Sequence, residues 1–156
     1  MRTGWIRAGV LAVAAGVALN AQLADKKVLT LAAVKKIVAA AEAEARKNNW
    51  NVAMVILDDG GHLLFCERMD GVQIAAIDVA TNKARSAVYY RRPGKIFEDQ
   101  LVGGRMAVLR LPGAFPFEGG LPITYGDQVI GGIGVSGATS PQDVQIAKAG
   151  LATLAP

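Results

Sequence analysis

Residues 118–143 read Glu118-Gly119-Gly120-Leu121-Pro122-Ile123-Thr124-Tyr125-Gly126-Asp127-Gln128-Val129-Ile130-Gly131-Gly132-Ile133-Gly134-Val135-Ser136-Gly137-Ala138-Thr139-Ser140-Pro141-Gln142-Asp143. Gly126-Asp127 between two apolar runs is the turn chemistry of a β-hairpin, with strands over 121–125 and 128–135. Ser140-Pro141-Gln142-Asp143 predicts a helix start: Ser caps, Pro occupies the first turn, and Asp lies three residues after the cap. Glycine inside a strand weakens it by adding backbone entropy and packing no side chain. Gly131, Gly132 and Gly134 therefore require a close approach to that backbone, by a ligand, a neighbouring helix or another subunit.

Outward from this stretch the pattern repeats. Residues 51–57 are apolar on both faces, as in a central strand. Asp58-Asp59-Gly60-Gly61 supplies a turn, and 62–68 returns as a second strand of a hairpin. Residues 74–90 predict a long helix with Ile74, Ile77, Thr81, Ala84 and Val88 on one side, stopped by Pro93-Gly94. Thr30 is placed to cap an earlier helix carrying Leu31, Val34, Ile37, Val38, Ala41 and Ala45 at helical spacing, with Asn48-Asn49 as its stop. Residues 95–102 suit a short helix broken by Gly103-Gly104. The alternation of Leu109, Arg110 and Leu111 favours a strand over 105–111, closed by Pro112. Two tight hairpins dictate antiparallel pairing, and helices must then cover at least one face. The expected fold class is α+β, an antiparallel sheet of about five strands packed with helices.

The chain has 156 residues, which bounds it to one domain. Its first residues have the pattern of a secretory signal: basic Arg2 and Arg7, an apolar run from Ala8 to Leu19, then small residues at Ala18, Ala21 and Ala24. The expected boundaries are a signal over 1–21, a linker over 22–29 and a domain over 30–156. Cleavage is placed after Ala21, or after Ala18, where Gly16 suits the position two before the cut. The run is short for a membrane span, which needs roughly 20 apolar residues. No stable span is expected once the signal is removed, and the expected location is periplasmic or secreted. The formal charge of +4 includes both leader arginines, leaving about +2 for the mature part. With no Lys/Arg cluster interleaved with aromatics, nucleic acid is not an expected partner. Cys66 is the only cysteine, so no disulfide forms within the chain, and a buried packing role is expected.

Several short motifs together resemble the GlcG/HbpS-like proteins, a family that includes the C-terminal domain of PduO-type proteins. They are Asp58-Asp59-Gly60-Gly61-His62-Leu63, Arg68-Met69-Asp70-Gly71, Asn82-Lys83-Ala84-Arg85, Glu118-Gly119-Gly120-Leu121-Pro122-Ile123 and 131–137, with Gln142-Asp143 behind them. The resemblance runs from about Leu29 to Leu154. It implies a profilin-like or PAS-like fold and a homo-oligomer, from dimer to octamer. It also implies haem as the candidate cofactor, since some members bind it and some of those are linked to haem degradation and redox sensing. Others belong to hydroxy-acid or diol catabolism, so a small carboxylate is the alternative ligand.

The candidate site residues follow. His62 is the only imidazole, the side chain most used for axial haem ligation and for proton transfer near neutral pH. The alternative is an exposed polar residue beside a turn. Cys66 lies on the same side of its strand but about 13 Å away, so the two cannot ligate one iron. Arg68 and Asp70 form either a salt-bridged turn or a carboxylate or propionate clamp. Lys83 and Arg85 lie mid-helix, and Lys83 is placed in a cleft holding an anion. Gly119 and Gly120 offer backbone N–H groups as an anion nest, and Glu118 is the acid candidate for proton transfer, paired with His62 in an enzyme reading. Ser136 and Gly137 end the glycine-rich strand. The Gly-x-Ser-x-Gly elbow of a serine hydrolase is not present. One histidine and one cysteine do not make a zinc set, and no metal site is expected.

Overall fold

The computed structural model describes residues 24–154; the expected signal over 1–21 lies outside them. Helix α1 (Leu31–Lys47) begins where Thr30 Oγ1 accepts the Ala33 N–H at 3.2 Å, and ends at Asn48 with Asn49 left-handed at φ 55°. Strands β1 (Ala53–Asp58) and β2 (Leu63–Arg68) form the first hairpin. Helix α2 (Ala76–Tyr90) ends in a left-handed Arg91. Helix α3 (Lys95–Val102) leads through a 3-10 helix (Met106–Arg110) to the second hairpin, β3 (Gly120–Tyr125) and β4 (Gln128–Ser136), and α4 (Ser140–Leu151) closes the fold.

The sheet is antiparallel in the order β2-β1-β4-β3. It has four strands rather than about five, because residues 105–111 coil into the 3-10 helix. Gly104, at φ 89°, turns the chain there, Val108 alone is buried, and Leu109 and Leu111 stay exposed with no strand to pair against. The cap of α4 also shifts by one residue. Thr139, not Ser140, is the N-cap, and its N–H donates to Gln142 Oε1 at 3.1 Å.

Side-chain alternation splits the core in two. Met54 and Ile56 of β1 and Ile133 and Val135 of β4 face α1 and α4, where they meet Val34, Ile37 and Ile146. Ile37, Ile56, Ile133 and Ile146 are fully buried, each contributing roughly 1.5–3 kcal/mol. On the other face Val55 and Leu57 pack on Ala80, Ala84 and Val88 of α2.

That second face explains the strand glycines. A Cβ on Gly134 would collide with the Ala80 carbonyl oxygen, and one on Gly132 would lie 2.6 Å from Val88 Cγ2 and 2.8 Å from Ala84 O. For Gly132 and Gly134 the neighbouring helix is the close approach observed, whereas a Cβ on Gly131 would meet the Leu57 carbonyl of β1 and Leu29 Cδ1 instead. The buried stripe of α2 is correspondingly Ala76, Ala80, Ala84 and Ala87 rather than a stripe led by Ile74, which is 85% exposed and precedes the helix. Only small side chains let a helix rest on glycine backbone.

Candidate functional site

The predicted site residues fall in three places. The first is a buried ion pair. Lys83 reaches from α2 to the first turn of α4, where Nζ donates to Asp143 Oδ2 at 2.7 Å and to the Val135 carbonyl at 3.0 Å. The two side chains are 3% and 2% exposed. Asp143 Oδ1 accepts the Ala138 N–H at 3.2 Å. Burial pushes the Asp143 carboxyl above the ordinary range, outweighing the pull of the Lys83 ammonium and the Ala138 N–H. The expectation that Lys83 holds an anion in a cleft is therefore overturned. Its charge is committed to a carboxylate of the chain itself, tying α2 to α4. Arg85, half-buried on the same helix, donates to Asn82 Oδ1 at 3.3 Å.

The second place lies just outside that pair. Gly119, at φ 116°, passes so close that a Cβ there would sit 2.6 Å from Lys83 Nζ, and Gly120 packs on the Lys83 backbone. Glu118, Gly119 and Gly120 line a pocket of about 290 Å³ whose other walls include Lys95 and Ile96 of α3 and Val144 and Lys148 of α4. The Glu118 N–H donates to Glu98 Oε2 at 2.7 Å. At the N-terminal end of α4 a wider hollow of about 520 Å³ is lined by Trp50, Asn51, Gly71, Gly137, Thr139 and Gln142. Arg68 and Ser136 both pair with Ala53, placing them in one row at that end of the sheet. Ser136 is buried there, while Arg68 and Asp70 are exposed. Of the predicted residues, Arg68, Asp70, Ser136 and Gly137 thus gather around this end, with only Gly137 lining the hollow.

The third place is the β1–β2 turn, at the opposite end of the sheet. Asp58 Oδ1 accepts the N–H groups of Gly60 at 2.8 Å and His62 at 2.9 Å, and Oδ2 lies 3.3 Å from His62 Nδ1. Burial would raise the Asp58 carboxyl, but these hydrogen bonds and the imidazole outweigh it and hold it below the usual range. The His62 side chain is 83% exposed, and its Nε2 has no partner among the described residues. Leu63 and Leu64 beside it are 62% and 39% exposed, and Tyr89 packs against Gly61. Cys66 is exposed rather than packed, because α2 does not extend over β2, and partial burial with the neighbouring Glu67 carboxylate pushes its thiol up. Since His62 and Glu118 lie at opposite ends of the sheet, the acid–base pair expected of them does not assemble.

A folded-state carboxyl held low contributes stability above its unfolded value, about 3.9, and loses it as pH falls through the folded value. Asp58→Ala should therefore cost about 1–2 kcal/mol at neutral pH through two lost hydrogen bonds. The gap to the parent protein should narrow as pH falls from about 3.9 through the lowered folded value. Urea melts across pH measure this directly.

Asp143, Lys95 and Lys148 escaped the sequence reading. Asp143 was visible as a helix-start residue and as part of the Gln142-Asp143 motif, and nothing local announces a partner 60 residues away. Among the described residues no group of three or more His, Cys, Asp or Glu is placed to hold a metal ion, and no helix is long and apolar enough to cross a membrane.

Comparison with known proteins fits this architecture. Over 111 residues the chain is 43% identical to Protein GlcG of Escherichia coli K12, covering 71% of this chain and 83% of GlcG. A double mutant of Streptomyces reticuli HbpS superposes with a TM-score of 0.79 at 29% identity, covering 100% of this chain and 99% of that one. A PduOC–haem complex superposes with a TM-score of 0.76 at 23% identity, covering 82% and 96%, a likeness of fold. The family described as Haem degrading protein HbpS-like matches residues 29–152, and the chain belongs to that HbpS-like family.

Proposed function

We propose that this chain is an exported, homo-oligomeric haem-binding protein that serves haem handling or redox sensing. The reading rests on one observation, an imidazole oriented by a carboxylate and set beside exposed leucines in an HbpS-like chain. Its donor chemistry suits haem. A histidine whose Nδ1 is held by Asp58 keeps ring orientation and tautomer fixed and leaves Nε2 for a metal. Leu63 and Leu64 offer an apolar bed. Arg85 lies one helical turn before Tyr89, which packs on Gly61, so it is the cation placed for a propionate. Arg68, at the far end of β2, is about 20 Å away along the strand. Bound haem would supply the redox-active iron; the chain's part is to orient it and exclude water. The His62 side chain is 83% exposed and Cys66 is exposed too, so a porphyrin here lies on an open face. Such a face leaves the far side of the group for a second copy of the chain to cover, which is the reason for proposing a homo-oligomer, and the leader pattern of residues 1–21 supports export.

A haem titration of the purified protein tests the reading. The expected result is a shifted Soret band that is lost in His62→Ala and kept in Cys66→Ser, with light scattering reporting the oligomer in both states. An unchanged spectrum in His62→Ala overturns the ligand assignment, and no Soret shift in the parent protein overturns haem binding.

A further inference from the structure

We propose that the pocket between α3, the Glu118–Gly119–Gly120 loop and α4 binds a small aliphatic carboxylic acid that also carries a hydrogen-bond donor, a hydroxyl or an ammonium group. This site is separate from the haem reading. A volume of about 290 Å³ sits at the small end of ligand pockets, too tight for a rigid macrocycle and ample for a six-carbon acid.

Its lining prescribes the ligand. Ile96, Leu121 and Val144 form an apolar wall, which suits an aliphatic body. Lys148 forms no salt bridge with an acid among the described residues, whereas Lys95 is held by Asp99 at 2.6 Å. Among those residues the Gly119 N–H meets no acceptor, although Gly119 is buried. A buried N–H without a partner is uncommon. Lys148 and this N–H together are the complement of a carboxylate. Glu118 takes no side-chain hydrogen bond among the described residues and is half-buried. Its carboxyl oxygens, as acceptors, call for a donor on the same ligand. The Lys83–Asp143 pair behind the pocket is internally matched in charge, so it does not compete for the ligand's carboxylate.

The probes are 2-hydroxyisocaproate and leucine, with isocaproate as the acid lacking a donor and isoamyl alcohol as the donor lacking a carboxylate. Binding to the full chain is followed by calorimetry and by the amide shift of Gly119. At least one of the two donor-bearing acids should bind more tightly than both comparators and move the Gly119 resonance. Preference between them identifies hydroxyl or ammonium as the donor. Lys148→Met, at an exposed position, should weaken binding about tenfold or more. Glu118→Met, which removes the acceptor, should erase the advantage over isocaproate, and His62→Ala should change nothing, which separates failure here from failure of haem binding. No shift of Gly119 at about 10 mM probe, weaker than any useful small-ligand affinity, overturns the proposal. So does unchanged binding in Lys148→Met.

Discussion

Asp143→Ala will lose about 3–5 kcal/mol of stability, because it leaves the Lys83 ammonium buried without a counter-charge. A domain of this size is held by only about 5–15 kcal/mol, and the melting temperature should fall by roughly 10–20 °C. The double replacement Lys83→Met with Asp143→Leu should lose far less, since it removes both charges at once. That contrast separates an orphaned charge from a simple loss of packing. The pH dependence has a defined sign. Burial holds the Asp143 carboxyl above the ordinary range, so the folded state retains this proton longer than the unfolded chain. The stability tied to its titration declines as pH rises from about 3.9, the unfolded value, to the raised folded value. It is flat beyond those limits. Asp58 acts oppositely, and melts of Asp143→Asn against the parent protein across acidic pH isolate the Asp143 contribution.

Gly134→Ala will destabilise the fold by about 3 kcal/mol or more, at the upper end of overpacking costs. The added methyl meets the Ala80 carbonyl oxygen and the Ala84 nitrogen, both backbone atoms of α2. Backbone within a helix cannot rotate out of the way as a side chain can. The helix must lift, and its contacts with Val55 and Leu57 are lost with it. Gly126→Ala is the informative control. It sits at φ 58° in the β3–β4 turn with open space around it, so conformational strain alone should cost about 1 kcal/mol. Denaturant unfolding of the two variants distinguishes collision from strain, and Gly134→Ala melting like the control would contradict the packing described here.

Both hairpins were legible because their turns are written in local chemistry, Asp58 to Gly61 and Gly126-Asp127. The first helix was legible because Thr30, an apolar stripe and Asn48-Asn49 agree. The segment 105–111 was not, since an alternation of two leucines carries no information about whether a partner strand exists. The glycines of β4 announced a close approach without naming the neighbour. The answer lay in alanines at positions 76, 80 and 84, which the eye passes over in favour of the larger Ile74 and Ile77. The site was legible in its loops and illegible in its pairings. Glu118, Gly119 and Gly120 are contiguous and drew attention as a unit. Lys95 and Lys148 reach the same pocket from helices far along the chain. Lys83 looked like a free cation because its counter-ion is reached only through the folded topology.

The seam between α2 and the sheet also dictates how the molecule can deform. Shear in proteins proceeds by small slides of packed elements, a motion eased by side chains that re-pack between them. At Gly134 no such layer exists and the helix backbone bears directly on the strand, while at Gly132 the Val88 side chain and the Ala84 carbonyl close the gap. A slide of α2 along the sheet is therefore resisted at these positions, whereas the opposite layer, with isoleucines, valines and two methionines between the sheet and α1 and α4, has side chains that can re-pack.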